Sequence, residues 1–295
     1  GYRLIMIDQV TPKPNIRREV VAIHSPATYL ETSYKPASNF ISMICIEEIK
    51  QKTGQMLACV GMSAVDVSTG EVFIHESYSQ FNDEKLGLDE TLRFIKSLVP
   101  KEIVIFKENL QKITDEYIIE YLDLKGKFYQ FREYNKDHNK PIYQKKILER
   151  VYPDRENMTS IIDTLDLSKC IYARKALVNL LTYVSDHYED LVKGLMEPVF
   201  YLHESQLVLG NDAINQLNIV DDTMVDAPGM IRYRSLLDVV NRTCTGMGKR
   251  YVKFRLVSPY TDVDILNTTY NIADVIIKNK LIDPFEKILR RIHDI

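Results

Sequence analysis

Apolar residues change their spacing part-way along this chain, and that change limits the folds open to it. Up to about Asp154 they gather in short runs, Asn39 to Ile49, Met56 to Ser63, Gly70 to His75 and Glu102 to Phe106, separated by turn residues such as Thr53-Gly54 and Ser68-Thr69-Gly70. Runs of that length, rich in Ile, Val, Met and Cys, predict β-strands. Beyond Asp154, and most clearly from Leu165 to Leu195, apolar residues recur at intervals of three and four, which predicts helices. A sheet-bearing part followed by a helical part is therefore required. At 295 residues and 45% apolar content, the chain has enough material for two cores.

The first three strands predict an antiparallel meander. An amphipathic helix follows from Asp83 to Leu98, carried by Leu86, Leu92, Ile95 and Leu98 and stopped by Pro100. The strand Glu102 to Phe106, a helix from Thr114 to Leu122 and a strand from Lys127 to Phe131 complete an α/β layout compatible with a ribonuclease-H-like sheet. Further on, Leu207 to Leu209 reads as a short strand, Asn211 to Leu217 as a turn of helix and Asp226 to Gly229 as a loop. Helices are predicted at Ser235 to Val240, Gly248 to Val257 and Asp264 to Asn279. The chain opens on Gly1 without an initiating Met and closes inside a helical pattern, Lys287 to Ile295, so a segment of a longer protein is expected.

Charge and cysteine usage narrow the chemistry. Charged residues make up 27% and the net charge is −3, which indicates neither disorder nor a basic coat for nucleic acid. Any DNA contact must be local. Cys45, Cys59, Cys170 and Cys244 are scattered without a paired spacing, and the six histidines never fall at metal-binding intervals. Reduced thiols in an intracellular, soluble protein are expected. No apolar run approaches the about 20 residues that cross a bilayer, and no membrane partner is expected.

Two clusters could carry chemistry. Asp66, with Glu71, Asp83 and Glu90 downstream, could assemble a ribonuclease-H-type carboxylate site for two Mg²⁺ ions and make the chain a metal-dependent nuclease. The favoured reading is plainer: an aspartate before Ser68-Thr69-Gly70 caps its own turn. Seven basic residues, Arg232, Arg234, Arg242, Lys249, Arg250, Lys253 and Arg255, stand against the single acid Asp238. Of these, Arg242, Lys249, Arg250 and Lys253 are candidates for a DNA-contacting or interdomain face. Gly248-Lys249 is no phosphate loop, because Thr243 and Arg250 replace the residues that motif requires. The expectation for this chain is no catalytic residue, no metal site and no cofactor.

Four passages, in order, carry a family resemblance. They are Gly1-Tyr2-Arg3-Leu4 with Gln9-Val10 and Arg18 to Val21 leading to Ser25 to Thr28; Asp66 to Glu71; Leu207 to Leu209 with Gln216 to Ile219; and Ser235-Leu236-Leu237 with Thr243 to Arg250 and on to Pro259. Together they resemble the MutS family across essentially the whole chain, and the last passage is the most specific. Gly210, Gln216, Gly246 and Arg255 stand where the family more often has Asp, Asn, Pro and Trp, which marks a divergent member.

The resemblance implies a domain plan. Residues 1–24 would be the remnant of a mismatch-recognition domain, 25–155 a ribonuclease-H-like connector domain, and 160–295 the start of a mainly helical core or lever. The parent protein would recognise mispaired or looped duplex DNA as a dimer, with itself or a paralogue. It would use ATP and Mg²⁺ at a site outside this chain, and would recruit a MutL-type partner. That partner is expected on Asp83, Glu84, Lys85 and Asp89 of the first connector helix. Phe131-Arg132-Glu133 matches the Phe-x-Glu pattern of mismatch readers but lies in the connector, where chance explains it.

Overall fold

The computed structural model describes residues 4–292 apart from 12–15, 26–38, 53, 134, 154–159, 188–191, 193, 202–205, 208, 210 and 221–232. It forms two compact units. The first runs to Thr91 and from Val99 to Tyr201, and the second holds Leu92–Leu98 and the chain after Tyr201.

In the first unit, β1 (Leu4–Gln9) and β2 (Arg18–His24) make an antiparallel hairpin with a register shift at Met6/Ile7. The main sheet begins with β3 (Phe40–Lys50), β4 (Met56–Asp66) and β5 (Val72–Tyr78), the expected meander. Then come α1 (Leu86–Leu98), β6 (Glu102–Glu108), α2 (Asp115–Tyr121) and β7 (Tyr129–Glu133). After a 3-10 turn at Lys136–Asn139 follow α3 (Pro141–Val151), α4 (Ile161–Thr164), α5 (Ile171–His187) and the two-residue β8 (Val199–Phe200). The six strands lie in the order β7-β6-β3-β4-β5-β8. β6 runs parallel to β3, β7 to β6 and β8 to β5, so the sheet is mixed. β3 and β4 are buried almost without interruption rather than in alternation, as befits central strands covered on both faces.

The three-and-four spacing after Leu165 does predict a helix, α5, but that helix belongs to the sheet. Leu177, Leu181 and Val184 of α5 join Ile41, Met43, Val65, Ile74 and Val104 in one apolar cluster, with Leu148 of α3. Residues 160–187, expected to open the helical core, thus complete the α/β unit instead, because the sheet offers the apolar surface that a lone helix lacks.

The second unit contains α6 (Asn211–Gln216), α7 (Leu236–Val240), α8 (Gly246–Val257), α9 (Val263–Lys278) and α10 (Ile282–Leu289). Its core is small: Ile214, Ile219, Val220, Leu237 and Val257, with Leu209, Val252 and Leu256 against them. Arg93, fully buried, donates to the Leu207 carbonyl at 3.1 Å, and Lys96 to the Asn215 side chain at 2.6 Å. The strand expected at Leu207 to Leu209 reduces to a single bridge, Gln206 to Tyr260, and Val208 lies outside the described residues. The loop expected at Asp226 to Gly229 also lies outside them. Neither α9 nor α10 buries a residue. No helix among the described residues is long and apolar enough to cross a membrane.

Candidate functional site

The carboxyl ends of β3 and β6 bring like charges together. Glu47 and Glu108 are register partners on adjacent parallel strands. Lys175, reaching from α5, lies 3.2 Å from a carboxylate oxygen of each. All three side chains are largely sheltered, so the ammonium stabilises two carboxylates that would otherwise repel across the ladder. The Tyr172 ring lies 5.1 Å from the same ammonium. Beneath the clamp, burial pushes the Cys45 thiol up to about 12. A thiol so placed is neutral and inert at physiological pH.

A second clamp fixes where α5 begins. Glu76 on β5 accepts the backbone N–H of Tyr172 at 2.9 Å and of Ala173 at 3.1 Å, so a sheet carboxylate satisfies the exposed donors of the helix's first turn. Neither Glu76 nor Lys175 stands out in the sequence. Their partners are about a hundred residues away, and no local spacing signals such pairs.

The four carboxylates nominated from sequence go to separate tasks. Asp66, 2% exposed, accepts the Ser68 and Thr69 N–H groups at 2.9 and 3.4 Å through one oxygen and the Asn39 N–H at 3.1 Å through the other. Gly70, at φ +79°, closes that turn through its N–H to the Asp66 carbonyl. Glu71 accepts the Thr69 hydroxyl at 3.4 Å, Asp83 the Lys85 N–H at 3.1 Å, and Glu90 lies 2.8 Å from His75 Nε2. Among the described residues no group of three or more His, Cys, Asp or Glu side chains could hold a metal ion. The turn-capping reading of Asp66 describes what its oxygens do.

The residues nominated for partner docking are divided by the start of α1. The helix begins at Leu86, not Asp83, because the Asp83 side chain turns back onto the Lys85 N–H while the Lys85 carbonyl accepts from Leu88 and Asp89. Asp83, Glu84 and Lys85 therefore sit in an exposed turn, where Glu84 accepts from Gln55. Asp89 is half-buried and accepts the Tyr121 hydroxyl at 2.7 Å. Lys85 lies 5.8 Å from the Tyr121 ring. Sequence reading passed over Phe81, 73% exposed in the same turn. An aromatic set among Gln80, Asn82 and Asp83 is the signal that would have found it.

The basic stretch is likewise divided. Asp238, its only acid, forms a capping box with Ser235 at the start of α7. Thr245 caps α8 by accepting the Gly248 N–H at 3.0 Å, so the helix opens two residues before Gly248. A Cβ at Gly248 would lie 3.0 Å from both Thr243 Cβ and Thr245 Oγ1, which accounts for glycine there. Arg242 precedes the helix and is exposed, Lys249 is exposed, Arg250 is half-buried, and Lys253 is buried at 9% exposure. The structure does not leave these four on one solvated face. Arg255 lies 4.2 Å over the Tyr260 ring, and Arg232 falls outside the described residues.

The described residues thus combine a mixed sheet to which Lys175 and Glu76 clamp α5 with helices capped by Ser235 and Thr245. Comparisons with known proteins show the family to which such a segment belongs. Residues 212–295 match the family model MutS domain III. A putative DNA mismatch repair protein mutS homolog of Acanthamoeba polyphaga mimivirus is 31% identical over 319 residues, covering 100% of this chain and 28% of that protein. The DNA mismatch repair protein MutS of Thermotoga neapolitana is 24% identical over 300 residues, covering 100% of the chain and 32% of that protein. A solved structure, T. thermophilus RuvC in complex with a Holliday junction substrate, aligns with 54% of this chain and 99% of its own at a TM-score of 0.28 and 12% identity, too slight a likeness to carry an argument. The chain belongs to the MutS family as a divergent member. It spans about a third or less of the length of these curated relatives.

Proposed function

We propose that this chain is the connector and the opening of the core of a MutS-type DNA mismatch-repair protein, and that its task is mechanical. The α/β unit is read as a ribonuclease-H-like connector, with the helices after Tyr201 as the start of the lever. The single observation that carries this reading is similarity to MutS proteins along the whole of this chain, in a segment where Lys175, Glu47, Glu108 and Glu76 serve packing. Relays between distant sites need stiff elements with two discrete arrangements, and a sheet clamped to α5 by Lys175 and Glu76 is stiff in this sense.

In the parent protein, recognition of mispaired or looped duplex DNA, dimerisation with itself or a paralogue, ATP and Mg²⁺ binding, and recruitment of a MutL-type partner would lie with the assembled whole. The turn and helix carrying Asp83, Glu84, Lys85 and Asp89 are the surface we assign to that partner. The deciding experiment measures binding of the 295-residue chain to matched and mismatched duplexes, with ATP hydrolysis on the same sample. Equal binding and no hydrolysis are expected. Mismatch preference or hydrolysis would overturn the reading, and so would Mg²⁺-dependent DNA cutting that Asp66→Asn abolishes.

A further inference from the structure

The six-stranded sheet ends at β8 on one side and at β7 on the other. β8 has two residues, too few to template another strand. β7 has five, paired to β6 in unbroken parallel register from Ile103↔Tyr129 to Lys107↔Glu133. The phase of that ladder is set by the Ile103 N–H, which donates to the Phe128 carbonyl at 3.0 Å. Backbone groups of successive strand residues point to opposite sides, so Gln130 and Arg132 spend theirs on β6. Tyr129, Phe131 and Glu133 turn their N–H and C=O groups away from it. Among the described residues no strand lies on that side and no backbone partner meets those groups.

The side chains of β7 are already seated. On one face Phe131 lies 4.8 Å from the Lys107 ammonium and edge-on to Tyr129 at 5.9 Å, and Lys107 is itself held by Asp115. On the other face the Arg132 guanidinium stacks 4.6 Å over the Tyr183 ring. What the strand has left to offer is therefore its backbone. Neither a proline nor a register shift interrupts it, although these are common means of blunting a sheet edge.

We propose that the β7 edge pairs with β7 of a second copy of this chain, antiparallel about a two-fold axis at Phe131, so that two sheets join into one. The outward groups then fall in step: Phe131 meets its own counterpart, Tyr129 meets Glu133 of the partner subunit, and Glu133 meets Tyr129 of the partner subunit. Each of these pairs exchanges two N–H···O bonds. Between them Gln130 faces Arg132 of the partner subunit, an amide against a cation. Any extended peptide could satisfy the backbone, but β7 also suits itself in side chains, since no like charges stand opposite one another. The contact is isologous and closes at a dimer instead of growing into a fibre. Five residues a side make a small interface, so the association is reversible. The assignment stands on the register of the strand and does not depend on the family reading.

The test is sedimentation equilibrium of the 295-residue chain over a range of concentrations. A reversible monomer–dimer equilibrium is expected. Phe131→Pro deletes an N–H that bonds nothing in β6, at an edge position where proline is tolerated. It should weaken the dimer by about tenfold or more, because each copy loses a hydrogen bond at the axis. Charge tests the register: Tyr129→Glu sets a carboxylate against Glu133 at both ends and should weaken the dimer by about fivefold, and adding Glu133→Lys should restore it. Ile272→Ser, on the exposed surface of α9, controls for association through apolar helices and should change nothing. Circular dichroism and the thermal midpoint establish that each variant is folded, and should Phe131→Pro fail to fold, the charge exchange decides. A monomer at every concentration would overturn the proposal and leave the edge to a strand of another protein. So would a dimer indifferent to either Phe131→Pro or Tyr129→Glu, a dimer lost in Ile272→Ser, or a double variant no tighter than Tyr129→Glu.

Discussion

A Cβ built on Gly61 would lie 1.9 Å from the carbonyl oxygen of Tyr172, so the first turn of α5 rests directly on the backbone of β4. The obstruction is main chain, which no rotamer change relieves. Gly61→Ala should therefore destabilise the chain by about 3 kcal/mol or more, the upper end of overpacking costs. Urea denaturation checks this, and an unchanged midpoint would show that α5 can lift off the sheet without penalty.

The neighbouring contact tests the same junction from the polar side. Gly61 and Glu76 are register partners on β4 and β5, and Glu76 satisfies two N–H groups of α5. Glu76→Ala leaves those donors without their acceptor and should cost about 1–3 kcal/mol, whereas Glu76→Gln retains an oxygen and should cost less. Equal losses in the two variants would mean that charge rather than hydrogen bonding holds the helix start.

Removing the ammonium between Glu47 and Glu108 should be worse than removing the whole cluster. Lys175→Met leaves two in-register carboxylates facing each other and should lower stability by about 2–4 kcal/mol, discounted slightly because the group retains some exposure. Adding Glu47→Gln and Glu108→Gln to that variant should recover part of the loss. A triple variant no more stable than Lys175→Met would sink the electrostatic account.

Alkaline pH should unfold this protein in a graded way. Burial raises the Cys45 thiol to about 12 in the folded chain, and it raises Cys59, Tyr78, Tyr152 and Tyr172 in the same direction. A raised acid holds its proton in the folded state after the unfolded chain has released its own. Stability is therefore full below about pH 9, the ordinary thiol value, and falls as pH climbs from there toward 12, at up to about 1.4 kcal/mol per pH unit for the fully buried Cys45 and by less for the exposed Tyr78. Cys45→Val should flatten the slope between pH 9 and 11 in denaturation curves. A slope identical to that of the parent chain would remove Cys45 from the account.

How much of this was legible in sequence depended on the range of the interaction. The meander of β3, β4 and β5, the strand β6 and the helix α2 announced themselves because their signals are local: apolar runs of strand length, Ser68-Thr69-Gly70, and Pro100 after α1. The role of Asp66 was legible for the same reason, its partners being two and three residues away. What α5 packs on was not legible, because a period of three and four says that a helix buries one face without saying against what. Asp83 to Lys85 were read into α1 on spacing, and the side-chain turn of Asp83 overrode it. The clamps of Lys175 and Glu76 left no trace in sequence, since each joins elements that only the tertiary fold brings together.

Lys249 and Lys253 looked equivalent in sequence and should behave differently in the test tube. Lys249 is exposed on α8 and Lys253 is 9% exposed, its stem lying within the second unit. Burying a lysine commits its methylenes to packing and its ammonium to internal partners, so Lys253→Ala should lower stability by about 1–2 kcal/mol. Lys249→Ala, at the surface, should stay within about 0.5 kcal/mol of the parent. DNA binding, where it occurs, should show the reverse order: losing an exposed cation such as Lys249 or Arg242 should weaken duplex affinity and reduce the salt slope by about one, whereas Lys253→Ala should leave both unchanged while folded. Measuring the two variants side by side in denaturant and in salt-dependent duplex binding separates the roles. If Lys253→Ala alone lowered the salt slope, the buried lysine would have to reach phosphate, and α8 would have to turn a different face to solvent on DNA.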